Sequence, residues 1–435
     1  MDKKIYDNYL EILKEELTIA LGCTEPIAIA FAGAKVREVL GQMPEHITVY
    51  CSGNIVKNVK GVTVPNSGGH KGIDTAAILG VIGGAADKKL AVLESVTEED
   101  ITKCQELIKQ SFCECELIEG VANLYIIIRA TAGKESAEVI IKDYHSNIVK
   151  IMKNGQTLMT KENNQEKQEG KMFPDKTLLN VKSILEFADN VKIEDVKEIL
   201  DRQIKYNSAI ADEGLKNHYG AEVGRTLMAE FDSTNVKLRA KARAAAGSDA
   251  RMSGCPLPVV INSGSGNQGM TASLPVIEYA KFLKVSDEVL YRGLVVSNLI
   301  AIHQKRFIGS LSAYCGAASA ASGSGAGVAY MMNLGYEKIC DVITNCIATV
   351  GGMVCDGAKP SCAAKIAIAV ETAMMALHLS MKEHVFHSGE GLVKDDIEKT
   401  IASIGKMAKD GMKTADIEIL NIMLLFYYII HIKSI

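Results

Sequence analysis

The feature that most constrains the fold is a change of hydrophobic period partway along the chain. Up to about residue 150, short runs rich in Val, Ile and Tyr alternate with helical stretches, whereas from Leu178 onward nearly every patterned segment repeats at helical spacing. Between them, residues 153–176 are dense in Lys, Glu, Asn and Gln with few apolar side chains, the composition of a solvated linker or a loop insertion. The pattern predicts an α+β N-terminal domain over 1–152, a charged linker or insertion over 153–177 and an all-α domain over 178–435. A length of 435 residues agrees, since roughly 150 residues per domain gives two or three domains.

Within the first part, strands are expected at 47–51, 90–95, 113–118, 124–130 and 137–142, and a tightly packed Ala/Gly helix at 76–86. Helices are expected in the second part at 183–187, 191–203, 209–246, 273–283 and 287–302. Two more, at 317–329 and 363–376, are crowded with Ala, Gly and Ser, which permits close backbone approach around something compact.

Charge and length exclude several partners. With 48 Lys+Arg against 52 Asp+Glu the signs balance, and no basic stripe marks a nucleic-acid surface. The longest apolar run, 419–432, contains Asn421 and His431 and is shorter than the roughly 18 to 20 residues that span a bilayer, so no membrane partner is expected. It reads as a buried terminal helix. Residues 1–17 form an amphipathic, charged helical pattern without the apolar core of a secretory signal, which predicts a cytoplasmic protein. In a reducing compartment its eleven cysteines serve as core residues, metal ligands or catalytic thiols rather than as a disulfide framework.

Five loops join glycine to polar side chains: 22–26, 52–54, 65–70, 263–269 and 351–359. Glycine there lets backbone N–H groups approach an anion, and a following helix N-terminus adds positive partial charge, so a carboxylate or phosphate ligand fits. Each alone is equally an ordinary turn. Residues 263–269 lack the βαβ context of a dinucleotide fingerprint, no P-loop occurs, and the nine histidines form no zinc pattern. Cys104, Cys113, Cys115, Cys255, Cys340 and Cys346 read as small core residues, whereas Cys315, Cys355 and Cys362 sit beside Gly, Asp or Ser at helix edges. Three such thiolates suit an iron–sulfur cluster, although Cys-x6-Cys is no standard signature for one. Cys23 precedes a helix whose first turn holds Pro26, a placement expected to favour thiolate.

Six segments in one order then become specific: Gly22-Cys23-Thr24-Glu25-Pro26, Ser52-Gly53-Asn54 with Lys57-Asn58, Pro65-Asn66, Gly266-Asn267-Gln268-Gly269, Tyr314-Cys315-Gly316-Ala317 and Cys355-Asp356-Gly357-Ala358-Lys359. Together they resemble the L-cysteine desulfidase family, which is related to the iron–sulfur L-serine dehydratases. By this resemblance residues 1–150 look like the dehydratase β part and 178–420 like its α part. It implies a 4Fe-4S cluster, independence from pyridoxal phosphate, and conversion of L-cysteine to pyruvate, ammonia and hydrogen sulfide. Cys315, Cys355 and Cys362 become the cluster ligands, and Cys23 becomes a base or a further ligand. In such an elimination Ser52, Asn54, Asn66, Asn267 and Gln268 are candidate donors to the substrate carboxylate, with Lys359 adding charge. L-serine dehydration on the same scaffold and a non-catalytic cluster-bearing amino-acid sensor are the competing functions. The expected partner is a small-molecule amino acid, and a homo-oligomer is left open.

Overall fold

The structure, a computed structural model, describes residues 1–161, 174–230, 232–309 and 311–432. Asp2 starts the first helix, its carboxylate accepting the Lys4 N–H at 2.7 Å. In α1 (Lys3–Glu16), Tyr9, Ile12 and Leu13 recur at helical spacing and are buried, while Lys and Glu face water. There follow β1 (Ile19–Leu21), α2 (Thr24–Leu40), β2 (His46–Ser52), α3 (Gly53–Val59), α4 (Ile73–Gly83) and α5 (Glu98–Lys109). Next come β3 (Cys113–Ile118), β4 (Tyr125–Ala132), β5 (Glu135–Lys142), β6 (Ile148–Lys153) and β7 (Gln156–Thr160).

Strands β2 to β7 form one six-stranded sheet in the order β3-β2-β4-β5-β6-β7, parallel only between β2 and β3. Helices α2 and α4 cover it. A Cβ on Gly80 would overlap the Ala30 backbone, and one on Gly33 would crowd the Ala77 carbonyl, so small residues let these two helices cross in contact.

One expectation fails in this half, and another is narrowed at its ends. Residues 90–95 are no strand: a 3₁₀ turn (Ala86–Ala91) runs into local hydrogen bonds such as Ala85 N–H to the Val92 carbonyl at 3.0 Å. Leu93 plugs the core beside Val92, so the apolar signal came from anchoring rather than from pleat alternation. The 153–177 segment opens as a hairpin, because Asn154-Gly155, at φ 50° and 78°, supplies the turn between β6 and β7. Its far end is tied down as well. Asn8 exchanges hydrogen bonds with the Asp175 backbone, and Lys176 pairs with Glu16. Residues 162–173 lie outside the described residues.

The remainder is mostly helical: α6 (Val181–Asn190), α7 (Ile193–Lys216), α8 (Val223–Glu230), α9 (Val236–Met252), then β8 (Pro258–Val260) and α10 (Gly266–Leu283). It continues with α11 (Asp287–Ile308), α12 (Gly316–Met331), α13 (Gly335–Val350), α14 (Cys362–Met381), α15 (Ile397–Lys406) and α16 (Lys413–Ile432). The single helix expected over 209–246 is interrupted, since Gly220 and Glu222 take positive φ and Asn235 caps a new helix. Helix α12 is the buried centre. Its small residues admit a neighbouring helix: a Cβ on Gly323 would overlap the Ser297 carbonyl of α11.

The all-α expectation needs one correction. Strand β8 pairs antiparallel with β1, Ile19 opposite Val260, and joins the two halves by backbone hydrogen bonds. Three-residue strands are too short to show a period.

Among the described residues one helix, α14, is long and apolar enough to cross a membrane, and more than half of it is packed inside the protein. Helix α16 forms as expected but is not buried throughout, for Ile417 and Ile422 are exposed. It lies across α3, where Asp416 accepts from Lys57 and Asn54, and Leu420 fills the space above Gly53.

Candidate functional site

Two loops are zipped together by an isolated bridge between Tyr314 and Val354. Cys315 N–H donates to the Met353 carbonyl at 2.9 Å and Cys355 N–H to the Ala313 carbonyl at 2.6 Å, which sets Cys315 and Cys355 side by side. Cys315 caps α12, and Cys362 opens α14 with its Sγ 3.6 Å from the Gly357 carbonyl. Gly357 has φ +94° and a Cβ there would overlap the Lys57 carbonyl, so only glycine lets this loop pass α3. Lys359 braces the same loop through the Gly357 carbonyl at 3.1 Å and the Asp356 carboxylate at 2.9 Å.

Opposite stands the 22–26 loop. Cys23 caps α2, fully buried, and its Sγ donates to Glu25 Oε2 at 3.0 Å. Thr24 Oγ1 donates to the Gly264 carbonyl at 3.0 Å, and Arg251, at the end of α9, donates from Nε to the Gly22 carbonyl at 2.9 Å. The same guanidinium reaches Asn267 Oδ1 at 3.2 Å, in the first turn of α10. Gly266 makes room for it, since a Cβ there would overlap Arg251. Gly316 likewise leaves space for the Gln268 carboxamide beside Cys315.

These groups enclose a cavity of about 100 Å³, whose wall carries Cys23, Cys315, Cys355 and Cys362 together with Glu25 and Arg251. Asn267 and Gln268 lie on that wall too, as do His145 and Lys305. A second cavity of about 490 Å³ adjoins it, and the two share His145, Ser263, Gly264 and Lys305. The other four candidate donors lie off the inner wall. Ser52 Oγ donates to the Asn123 carbonyl at 2.6 Å, Asn54 Nδ2 to Asp416 at 2.7 Å, and Asn66 Nδ2 to the Leu93 carbonyl at 2.9 Å. Lys359 is spent on its own loop.

Electrostatics reverse one expectation. The Cys23 thiol is pushed well above its ordinary value, first by burial and then by the Glu25 carboxylate two residues on, so the helix N-terminus does not make it a thiolate. Burial alone would raise Glu25 as well. His145, its Nε2 3.7 Å from Oε1, the Cys23 hydrogen bond and Arg251 together outweigh burial and hold Glu25 at about 2. Burial also raises Cys315, reinforced by Cys355 and Cys362, and raises Cys362. Lys305 is pulled down to about 8 by burial, opposed by the Cys355 and Cys315 sulfurs.

Among the described residues no group of three or more His, Cys, Asp or Glu side chains is close enough to hold a single metal ion. A cluster is a wider body that takes one thiolate per iron, and three thiols on one wall, acting on one another electrostatically, match that donor set.

A family model described as serine dehydratase alpha chain matches residues 87–421. The chain belongs to this family. Its match to the alpha chain begins within the sheet-bearing half, ahead of residue 178. The chain is also 53% identical to a UPF0597 protein of Lachnoclostridium phytofermentans over 420 residues, 97% of this chain and all of that one. A UPF0597 protein of Finegoldia magna is 50% identical over 96% of this chain and 99% of its own, and one of Fusobacterium nucleatum 44% identical over 97% and 100%.

In this serine dehydratase-like chain, Arg251, His145 and Lys305 went unselected in the sequence, and Glu25 was given no role. Only Lys305 carried a signal, a polar run of His303-Gln304-Lys305-Arg306 directly after the apolar stretch Leu299-Ile300-Ala301-Ile302.

Proposed function

We propose that this protein is an iron–sulfur-dependent L-cysteine desulfidase. Its reaction breaks the Cα–H and Cβ–S bonds of L-cysteine, and the aminoacrylate set free tautomerises and is hydrolysed to pyruvate and ammonia beside hydrogen sulfide. The observation that carries this reading is the convergence of four thiols from three distant stretches on one cavity of about 100 Å³. Cys315, Cys355 and Cys362 are the thiolates that would hold a 4Fe-4S cluster. When bound, it supplies a Lewis-acidic iron that stabilises negative charge on a departing sulfur or oxygen.

The chain's own groups account for the rest. Cys23 and Glu25 act as a pair: Oε2 accepts the thiol hydrogen and fixes the sulfur in place, Glu25 stays ionised, and the thiol must pass its proton to water before the sulfur can take the α-hydrogen. A positive charge brought beside the thiol, such as the substrate ammonium, lowers the cost of that transfer. Asn267 and Gln268 offer amide hydrogens from the first turn of α10, and the small volume admits only a short side chain and little water.

The serine dehydratase description of the family favours a second reading, the same elimination on L-serine with hydroxide as the leaving group. Anaerobically reconstituted protein decides between them. Iron and acid-labile sulfide are measured first, then pyruvate from each amino acid, with sulfide release from L-cysteine. Faster turnover of L-cysteine supports the desulfidase, and faster turnover of L-serine selects the dehydratase. Full iron loading with no turnover of either points to an amino-acid sensor, and failure to take up iron overturns all three.

A further inference from the structure

Lys305 is the oddest residue near the site. It projects from the last turn of α11, is 6% exposed, and its ammonium makes no hydrogen bond or ion pair among the described residues. Burying an ammonium without a partner is expensive, and proteins keep such a group where something else completes it. The nearby carboxylate of Glu16, across the outer cavity, is already taken by Lys176. Lys305 lies on the walls of both cavities, so its charge faces the passage between them.

We propose that Lys305 anchors the carboxylate of a small α-amino acid at this passage. The ligand class follows from the charges on the inner wall. Lys305 supplies a buried cation with no counter-ion among the described residues, and the Glu25 carboxylate on the same wall has the sign to face an α-ammonium. A zwitterion with a short side chain satisfies both, whereas an amine without a carboxylate leaves Lys305 buried and alone. Every candidate donor for that carboxylate drawn from the glycine loops is neutral except Lys359, which is held by its own loop. The anchor rests on the reading of the inner cavity as an amino-acid site, but it does not depend on which bond is broken there.

Binding without turnover tests it. L-alanine carries the same α-carbon groups as L-cysteine but no leaving group, and L-alaninamide lacks only the anionic carboxylate. Calorimetry on the anaerobically reconstituted protein should show L-alanine binding about 100-fold more tightly than L-alaninamide, the scale of leaving one buried charge unpaired. Lys305→Met should erase that preference at unchanged iron content, and Lys305→Arg should restore part of it. Equal affinity of the unaltered protein for the two ligands, or no binding of L-alanine, overturns the proposal without any variant. So does a Lys305→Met protein that keeps the preference, and if such a protein also loses iron the lysine serves to balance the thiolates instead. Absence of pyruvate from L-cysteine and L-serine would sink the elimination reading while leaving this comparison intact.

Discussion

The Cys23 thiol donates to Glu25 Oε2 at 3.0 Å, and both groups are buried at the head of α2. Cys23 is therefore neutral at rest, with its hydrogen committed. Cys23→Ser keeps a donor in the same place but is a far poorer base, so it should retain full iron and lose pyruvate formation together with α-hydrogen exchange into solvent. Iron loss in this variant would mean that Cys23 is a ligand, and near-normal turnover would leave it only a capping role.

The three remaining thiols make a separate case. Cys315→Ala or Cys355→Ala should abolish both iron content and turnover, because each opens the coordination shell. Cys362→Ser should do the same. Iron analysis after anaerobic reconstitution is the measurement, and full loading in any of the three removes that residue from the ligand set.

Acid should reveal Glu25. Its carboxyl titrates at about 2 in the folded chain against an ordinary value near 4.5, so the unfolded chain binds the proton first as pH falls. The resulting stabilisation, about 3 kcal/mol from the size of that shift, is complete above pH 4.5 and fades as pH drops toward 2. Urea unfolding of Glu25→Gln should show a deficit of that order at pH 6 which narrows on acidification. A deficit that does not vary with pH contradicts this account.

Lys305 should behave oppositely. A lysine lowered to about 8 destabilises the fold wherever it is cationic, and the penalty lifts as pH rises from 8 toward 10.5. Lys305→Met should thus be more stable than the parent at pH 7, by about 3 kcal/mol, and lose that advantage in alkali. Thermal unfolding across pH 7 to 10 reads it directly, and a less stable Met variant at pH 7 would refute the assignment.

Local motifs told most of what could be learned from the sequence. Cys315, Cys355 and Cys362 stood out because each sits beside Gly, Asp or Ser at a helix edge, and Asn267-Gln268 because a glycine loop opens a helix there. Arg251 and His145 carried no comparable mark, since their importance lies in tertiary placement: one closes α9, the other follows β5, and neither neighbourhood is unusual in sequence. The Asn154-Gly155 turn was readable but was masked by the charge density around it. The acidity of Cys23 was misjudged because a helix terminus is a weak charge, whereas Glu25 and the loss of water act at contact distance.

The latch under α16 gives a further test. Lys57 is almost fully buried and pairs with Asp416, while its Nζ also lies 3.4 Å from the Cys355 carbonyl. Asp416→Asn strands that buried cation and should destabilise the fold by about 3 kcal/mol, whereas the joint replacement Lys57→Met with Asp416→Leu should recover most of the loss. Denaturant unfolding of the single and double variants measures the difference. Equal losses in the two would show that the pair is not coupled.

The three-residue ladder between β1 and β8 bears on how the chain is made. Ile19 cannot meet Val260 until about 240 further residues have left the ribosome, so Cys23, four positions after Ile19, waits through most of synthesis for the wall it faces. A growing chain therefore keeps Cys23 away from Cys315, Cys355 and Cys362 until the later half has emerged, so the four-thiol wall is completed only near the end of synthesis.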